Sequence, residues 1–309
     1  MEMRVVLESE LEKLMEQNEN IVVIDADLSK PNGTAPLHKK FPDRAFDVGI
    51  AEQNMASIAA GMSSYGFIPF ITSFTPFATR RICDQVAISI AYAKQNVKIV
   101  GTDPGISAEF NGGTHMSMED IGVLRSIPEM VIFEPVDAVQ LKKAIPSLLS
   151  YYGPVYVRMF RKELPDVFPE DYEFDLFGAD TLQQGKDVSI FCTGIMVQET
   201  LKANELLKAE GIEADIINIH TIKPINREAV IASARKTGAV VTAENHNVIG
   251  GLKSAVSEVL MEECPVPLRA VGVKDLFGQV GKMNFLKEFY EMRAEDIVKA
   301  VKEVITLKK

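Results

Sequence analysis

The stretch FDVGIAEQNMASIAAGMSSYGFIPFITSF (46–74) decides how this chain folds. Residues 46–50 have the pattern of a short strand, the following run of small residues and methionine predicts a helix ending at Gly66, and residues 67–74 form a second apolar strand. Parallel neighbours in a sheet need a crossover connection, which is usually a helix. A strand, a helix and a strand in direct succession therefore predict a parallel sheet that helices cover on both faces.

The same alternation continues in both directions from this stretch. An opening helix over roughly residues 3–18 and the buried strand IVVIDADL (21–28) come before it, and strands and helices follow it as far as VYVRMF (155–160). The segment 162–186 is rich in proline and acidic residues and has no clean period, and a second series of strands and helices begins after it. We therefore predict two α/β domains, each a mostly parallel sheet flanked by helices, over residues 1–165 and 186–309, with a linker over 166–185.

The composition argues against several classes of protein. A net charge of −10 argues against nucleic-acid binding, and no apolar run approaches the roughly 20 residues of a membrane helix. The three cysteines lie far apart and form no CxxC pair, which favours a reducing cytoplasm. The four histidines lack the spacing of metal ligands, so we expect no metal site within the chain itself.

Polar residues gather at the predicted carboxyl ends of the strands, where open α/β sheets bind their ligands. Glu52 opens a helix that is otherwise small and apolar, so its carboxylate is either a partly desolvated proton-transfer group or a first-turn acid that interacts with the helix dipole. Phe74 and Phe77 either flank a planar heterocycle or pack in the core. His115 ends a glycine-rich turn, GGTH (112–115), and is either a site residue or a structural histidine. Residue type and spacing leave each pair of alternatives open.

Eight strings cover nearly the whole chain: DADLS (25–29), FPDRAFDVGIAEQNM (41–55), SFTPFATRRICDQV (73–86), GGTHMSMEDIGVLRSIP (112–128), VYVRMFR (155–161), NIHTIKPI (218–225), TAENHNVIGGLKSAVSEVL (242–260) and VGVKDLFGQVGK (271–282). Taken together and in this order, they resemble the C-terminal half of transketolase. The resemblance implies a pyrimidine-binding domain over residues 1–165, the family's C-terminal domain over 186–309, and thiamine diphosphate as cofactor. The implied activity is transfer of a two-carbon ketol unit from a ketose or ketose phosphate to an aldose or aldose phosphate.

The resemblance assigns cofactor-binding roles to several residues of the first predicted domain. Glu52 matches the glutamate that hydrogen-bonds the cofactor's aminopyrimidine ring and thereby activates the cofactor, which then serves as the electron sink. Phe74 and Phe77 match the aromatic wall around the pyrimidine, and Phe77 is the better candidate for stacking. Asp27 matches an aspartate beside the cofactor and the substrate channel.

Two further positions are assigned by the same resemblance. The family has one arginine before its Asp-Gln pair, whereas this chain has both Arg80 and Arg81. The spacing to Asp84 favours Arg81 as the cofactor-binding residue, whereas the spacing to Phe77 favours neither arginine, so the choice between them stays open at this point. His115 matches a histidine or glutamine near the reacting carbons, which makes it a candidate for catalysis and for substrate binding.

The predicted substrate pocket departs from the usual phosphosugar pattern. Arg158 and Arg161 are the candidate arginines, and Arg161 matches the residue that grips the sugar's distal phosphate, for which a guanidinium fork is suited. Asp103 stands where the family usually has a phosphate-side histidine, Pro31 replaces a common serine, and Asn111 replaces an aspartate that reads a donor hydroxyl. We therefore expect a substrate other than the standard pentose and hexose phosphates, or an anionic end held by Arg161 and partner residues alone. The alternative is a loop shift that moves Asp103 out of the pocket.

One part of the family's site has no counterpart in this sequence. Full-length transketolases begin with a domain that binds the diphosphate and its divalent metal through a Gly-Asp-Gly run, and no such run occurs here. The resemblance therefore implies a partner subunit that holds the metal, Mg²⁺ or Ca²⁺, a dimer of heterodimers, and an inactive chain when it is alone. Two other functions remain open, namely the β subunit of a 2-oxoacid dehydrogenase's first component and a non-catalytic regulatory subunit with the same fold.

Overall fold

The computed structural model describes residues 1–308 and contains two α/β domains, each with its own sheet. The predicted fold class is confirmed, because both sheets are mostly parallel and are flanked by helices. The first domain has the strands β1 (Ile21–Asp25), β2 (Ala45–Asp47), β3 (Ile68–Phe74), β4 (Lys98–Thr102), β5 (Val131–Phe133) and β6 (Val155–Met159). Its helices are α1 (Met3–Gln17), α2 (Ser29–Asn32), α3 (Ala35–Lys40), α4 (Glu52–Ser64), α5 (Thr75–Ala78), α6 (Asp120–Arg125) and α7 (Ala138–Ser150), joined by 3₁₀ segments at Arg80–Ile82 and Gly105–Asn111 and a π-helix at Gln85–Tyr92.

The second part of the chain repeats the alternation on a smaller scale. Its strands are β7 (Asp180–Gln183), β8 (Val188–Cys192), β9 (Ala214–Asn218), β10 (Thr221–Lys223), β11 (Val240–Asn247) and β12 (Leu268–Val273). Its helices are α8 (Met196–Ala209), α9 (Arg227–Thr237), α10 (Leu252–Glu263), α11 (Met283–Phe289) and α12 (Ala294–Ile305). No helix within residues 1–308 is both long enough and apolar enough to cross a membrane.

Each sheet contains one strand from a segment that the sequence predicted to lie outside that sheet. The first sheet has the order β10-β5-β6-β4-β3-β1-β2, in which only β10 is antiparallel. β10 follows the predicted linker in sequence yet completes the sheet of the preceding domain. The second sheet has the order β12-β11-β8-β9-β7, and its antiparallel edge strand β7 lies inside the segment predicted as linker. The polar composition of β7 suits an edge strand, which explains why periodicity did not reveal it.

The central strands of the first sheet end at the same edge. In the register of β1 and β3, Asp25 lies beside Thr72, and in that of β3 and β4, Phe74 lies beside Thr102. The strand residues before these ends are buried on both faces of the sheet, as expected when helices cover both faces. Loops and helix starts that follow the strands therefore converge on one edge, and this edge holds the candidate site.

Candidate active site

Glu52 is buried at the first position of α4, with 4% of its surface exposed. Its Oε1 accepts a hydrogen bond from Nη1 of Arg81 at 2.6 Å, and Gln53 donates to the backbone carbonyl of Arg81 at 3.2 Å. Burial sets this carboxylate apart from Glu228, a first-turn acid of α9 that is exposed to solvent. Arg80 extends in another direction and pairs with Glu119, so Arg81 is the arginine at the Glu52 carboxylate.

Three rings form an aromatic triplet beside this ion pair: Phe74, Phe77 and His115. The His115 ring packs edge-on against Phe77 at 5.3 Å between centroids and against Phe74 at 6.2 Å. The guanidinium of Arg81 lies 3.8 Å above the Phe77 ring, which is a cation–π distance. Glu52 is therefore connected through Arg81 to the aromatic triplet, and the predicted histidine and both predicted phenylalanines lie together.

A row of contacts runs from Glu52 through Arg81 to the aromatic triplet, and it continues to Arg161 and Asp103. The Arg161 guanidinium lies 5.2 Å from the Phe74 ring centroid, and its Nε lies 2.6 Å from Oδ2 of Asp103. Asp103 is buried and has a left-handed backbone conformation with φ 52°. Burial raises the pKa of Asp103 to about 6, an effect that the neighbouring Arg161 opposes. Asp103 thus lies beside Arg161, and the substrate-binding roles predicted for both residues stay predictions.

The backbone carbonyl oxygen of Pro31 accepts hydrogen bonds from two arginines, Arg161 and Arg4. Arg4 was not predicted as a site residue from the sequence. Nη1 of Arg161 lies 3.5 Å from the Pro31 oxygen, and Nη1 of Arg4 lies 3.4 Å from it. Arg4 belongs to α1, and the amphipathic pattern of that helix carried no signal for a site residue. Arg4 therefore adds a second guanidinium, which pairs with Glu2 at 2.7 Å, to the end of the row at Arg161 and Asp103. We call this end the distal end of the site.

A buried polar network fixes the segment that carries Pro31. Asp25, at the end of β1, accepts hydrogen bonds from Thr34 at 2.7 Å and from Thr72, and contacts Nε2 of His38 at 2.8 Å. The hydrogen bond to Asp25 raises the pKa of His38. Asn32 donates to Thr72 at 3.0 Å and links the network to the neighbouring strand. The only sequence signal for this network was an acid at the end of a buried strand.

Asp27 and Asn111 lie outside the row of contacts. Asp27 is exposed in a left-handed conformation, and its backbone N–H donates to the Asp47 carboxylate at 3.0 Å. Asn111 is exposed at the end of the Gly105–Asn111 segment. Both face solvent in this chain, so their predicted roles in cofactor and substrate binding stay predictions.

Arg158 is not available to a substrate in this structure. Its side chain is fully buried, and its guanidinium bonds Asp120 at 2.7 Å, Glu134 at 2.5 Å and the carbonyl of Asn245 at 2.7 Å. Asn245 belongs to the second domain, so Arg158 connects the two domains. The predicted substrate-binding role is therefore corrected, because every nitrogen of the guanidinium already has a buried partner.

Two models of protein-family domains match this chain. Residues 1–167 match the pyrimidine-binding domain of transketolase, and residues 178–297 match the transketolase C-terminal domain. The chain belongs to the transketolase family. The family predicted from the sequence is thus confirmed, and the members of this family depend on thiamine diphosphate.

Two relatives and one solved structure illustrate the similarity. The 6-deoxy-6-sulfo-D-fructose transketolase subunit SqwH of Clostridium sp. (strain MSTE9) is 53% identical over 94% of this chain and 90% of its own length. An apulose-4-phosphate transketolase subunit of Phocaeicola vulgatus is 36% identical over 95% of this chain and 94% of its own length. A solved structure described as a split gene transketolase, inactive beta4 tetramer, has a TM-score of 0.92 and 44% identity, with both chains covered to 100%.

The residues of this transketolase-family chain fit one end of the cofactor. A buried carboxylate beside aromatic faces suits a planar, hydrogen-bonding ring such as an aminopyrimidine. Within residues 1–308 no group of three or more His, Cys, Asp or Glu side chains is arranged to hold a metal ion.

Proposed function

We propose that this chain is the pyrimidine-binding subunit of a two-chain transketolase in which Glu52 activates thiamine diphosphate. The observation that carries this proposal is the continuous row from Glu52 through Arg81 and the aromatic triplet to Arg161 and Asp103. A proton-exchanging carboxylate stands at one end of the row and an anion-binding arginine at the other. A cofactor and a sugar with an anionic terminus need such groups at opposite ends of one site.

The chain's own residues supply positioning and proton transfer. The cofactor, when bound, supplies a carbon nucleophile and an electron sink. Glu52 holds or moves a proton at a nitrogen of the pyrimidine ring, and its burial excludes the water that would compete for that hydrogen bond. Phe77 packs against the ring face, and the His115 imidazole is placed to donate to, or accept from, the oxygens of the substrate. Arg81 occupies both the Glu52 carboxylate and the Phe77 face, so we expect it to move aside when the ring binds.

A second subunit completes the site in this proposal. It carries the diphosphate-binding domain and the divalent metal, which is Mg²⁺ or Ca²⁺. The description of the similar solved structure as a split gene transketolase, inactive beta4 tetramer, supports both a missing partner and self-association of this type of chain. We therefore propose a dimer of heterodimers as the active form.

The donor that we propose is 6-deoxy-6-sulfo-D-fructose, which the name of the SqwH relative supports. The departures at Pro31 and Asp103 also fit a donor other than a standard sugar phosphate. In the reaction the C2–C3 bond of the ketose breaks, and the two-carbon unit forms a bond with the carbonyl carbon of an aldose acceptor. The remainder of the donor leaves as a four-carbon aldose that retains the sulfonate.

The Glu52→Gln variant tests the catalytic assignment. The chain is co-purified with its diphosphate-domain partner, and ketol transfer is assayed with thiamine diphosphate and Mg²⁺. The amide preserves the side-chain shape but cannot exchange a proton in the same way, so we expect kcat to fall by about 100-fold or more. Exchange of the cofactor's C2 proton with deuterium, followed by NMR, should slow in parallel.

The matched control is Glu228→Gln, which removes an exposed first-turn acid from α9. This variant should keep full activity, because an acid that interacts only with a helix dipole plays no part in proton transfer. Unchanged activity in Glu52→Gln, with the complex still assembled, would instead support a non-catalytic subunit. Decarboxylation of pyruvate by the wild-type complex, without ketol transfer, would support the 2-oxoacid dehydrogenase alternative.

A further inference from the structure

Three cations near the distal end of the site each have a carboxylate partner. Arg161 pairs with Asp103 at 2.6 Å, Arg4 pairs with Glu2 at 2.7 Å, and Lys162 pairs with Glu109. Within these three pairs each positive charge is matched by a negative one. Sites that bind phosphate dianions normally present unpaired cationic donors, and these three cations differ in that respect.

Asp103 is the acid of this group that lies closest to the site. It is buried, whereas Glu2 is partly exposed, and its partner Arg161 reaches the face of Phe74. Its Oδ2 accepts no aligned hydrogen bond and lies 2.6 Å from Nε of Arg161. The carboxylate is thus placed to act through its charge on Arg161.

We propose that Asp103 is a specificity-determining residue, which neutralises Arg161 so that the site takes a donor ketose with a singly charged terminus in preference to a doubly charged phosphate ester. This inference rests on the proposed function. A sulfonate carries one negative charge, whereas a phosphate ester carries close to two at neutral pH. A fixed carboxylate at the anion's arginine repels the second charge of the phosphate and has a smaller effect on a sulfonate.

Three donors that share one carbon skeleton test the proposal. Fructose, 6-deoxy-6-sulfofructose and fructose 6-phosphate present termini with zero, one and about two negative charges. With the wild-type complex, we expect kcat/KM to be highest for the sulfonate and at least about tenfold lower for the phosphate. This ranking is measured on the unaltered protein, so it stands even if a variant folds poorly.

The Asp103→Asn variant then removes the charge with little change in shape. Asparagine tolerates the left-handed conformation that this position adopts. We expect the ratio of kcat/KM for phosphate to that for sulfonate to rise by at least about tenfold. The control is Glu163→Gln. Glu163 is an exposed acid that lies near Arg161 in sequence and pairs with the N-terminal amine. Its replacement should leave the ratio unchanged.

The possible outcomes distinguish a failure of the charge selection from a failure of the proposed function. Efficient use of fructose 6-phosphate by the wild type, or an unchanged ratio in folded Asp103→Asn, overturns the charge selection and leaves a transketolase. Preference for unmodified fructose overturns it as well. Turnover of none of these donors overturns the proposed function and the inference together.

Discussion

Arg158 and Arg161 have opposite environments although they are close in sequence. Arg158 lies within β6, where its guanidinium turns into the interior and meets Asp120 and Glu134. Arg161 lies beyond the end of the strand, at the site edge, and retains some exposure. The same residue type is therefore part of the domain junction in one case and part of the candidate site in the other.

Replacement of Arg158 by methionine should strongly destabilise the protein. Two carboxylates would stay buried without their cation, and breaking a buried ion pair in this way costs about 3–5 kcal/mol. Chemical denaturation monitored by circular dichroism gives the change in free energy of unfolding. Arg227→Met is the matched control, because Arg227 pairs with the exposed Glu262 and its loss should change stability by less than about 1 kcal/mol. Equal losses in the two variants would contradict the structural role of Arg158.

At the scale of elements, the two domains meet through close backbone contact. Gly122 in α6 and Gly250, in the loop before α10, pack directly against each other. A Cβ atom built on Gly122 would lie 3.3 Å from the Cα of Gly250. This approach allows α6 to present Asp120 to Arg158 and brings the loop of the second domain to the same place.

Gly122→Ala should therefore lower stability although alanine is the better helix former. The added methyl group would press on the backbone of Gly250 rather than on a flexible side chain, and we expect a loss of about 1–3 kcal/mol in the free energy of unfolding. Gly61→Ala is the control, because Gly61 lies in α4 with nothing within 4 Å of its Cβ position. That variant should gain about 0.5–1 kcal/mol from helix propensity alone. If both substitutions stabilised the protein, the backbone at the Gly122–Gly250 contact would have shifted with no loss of free energy of unfolding.

At the scale of the whole molecule, His220 lies where the chain passes from one sheet to the other. It stands between β9 of the second sheet and β10 of the first, and its carbonyl accepts the backbone N–H of Glu134 at 2.8 Å. Its ring packs near Phe133 and Phe174, at 5.9 and 5.0 Å between centroids. Burial lowers the pKa of His220 to about 4.

The stability of the chain should consequently fall in acid partly because of His220. The folded state keeps this imidazole neutral, whereas the unfolded chain protonates it below pH 6.5, so stability is lost as the pH falls from 6.5 towards 4. Between pH 7.5 and 5 the contribution is about 2 kcal/mol. His220→Gln should show a correspondingly smaller loss when free energies of unfolding are measured at both pH values. Parallel losses in the two proteins would show that His220 is not buried in its neutral form.

The features that the sequence predicted well are local. The strand–helix–strand pattern at 46–74 indicated a parallel sheet because apolar periodicity depends on neighbours in the chain. The motif around Glu52 indicated the family, and the comparisons confirm it. Phe74, Phe77 and His115 were grouped by resemblance, and the structure brings them into contact.

The amino-acid sequence by itself thus determined the fold class, the family and the residues from which a site could be built. Only the tertiary structure decided that β10 joins the first sheet, that Arg158 is buried between domains, and that Asp103 pairs with Arg161. The physical reason is the same in each case. Strand exchange, burial and ion pairing join residues that are distant in sequence, and no local period or propensity records which of them will meet.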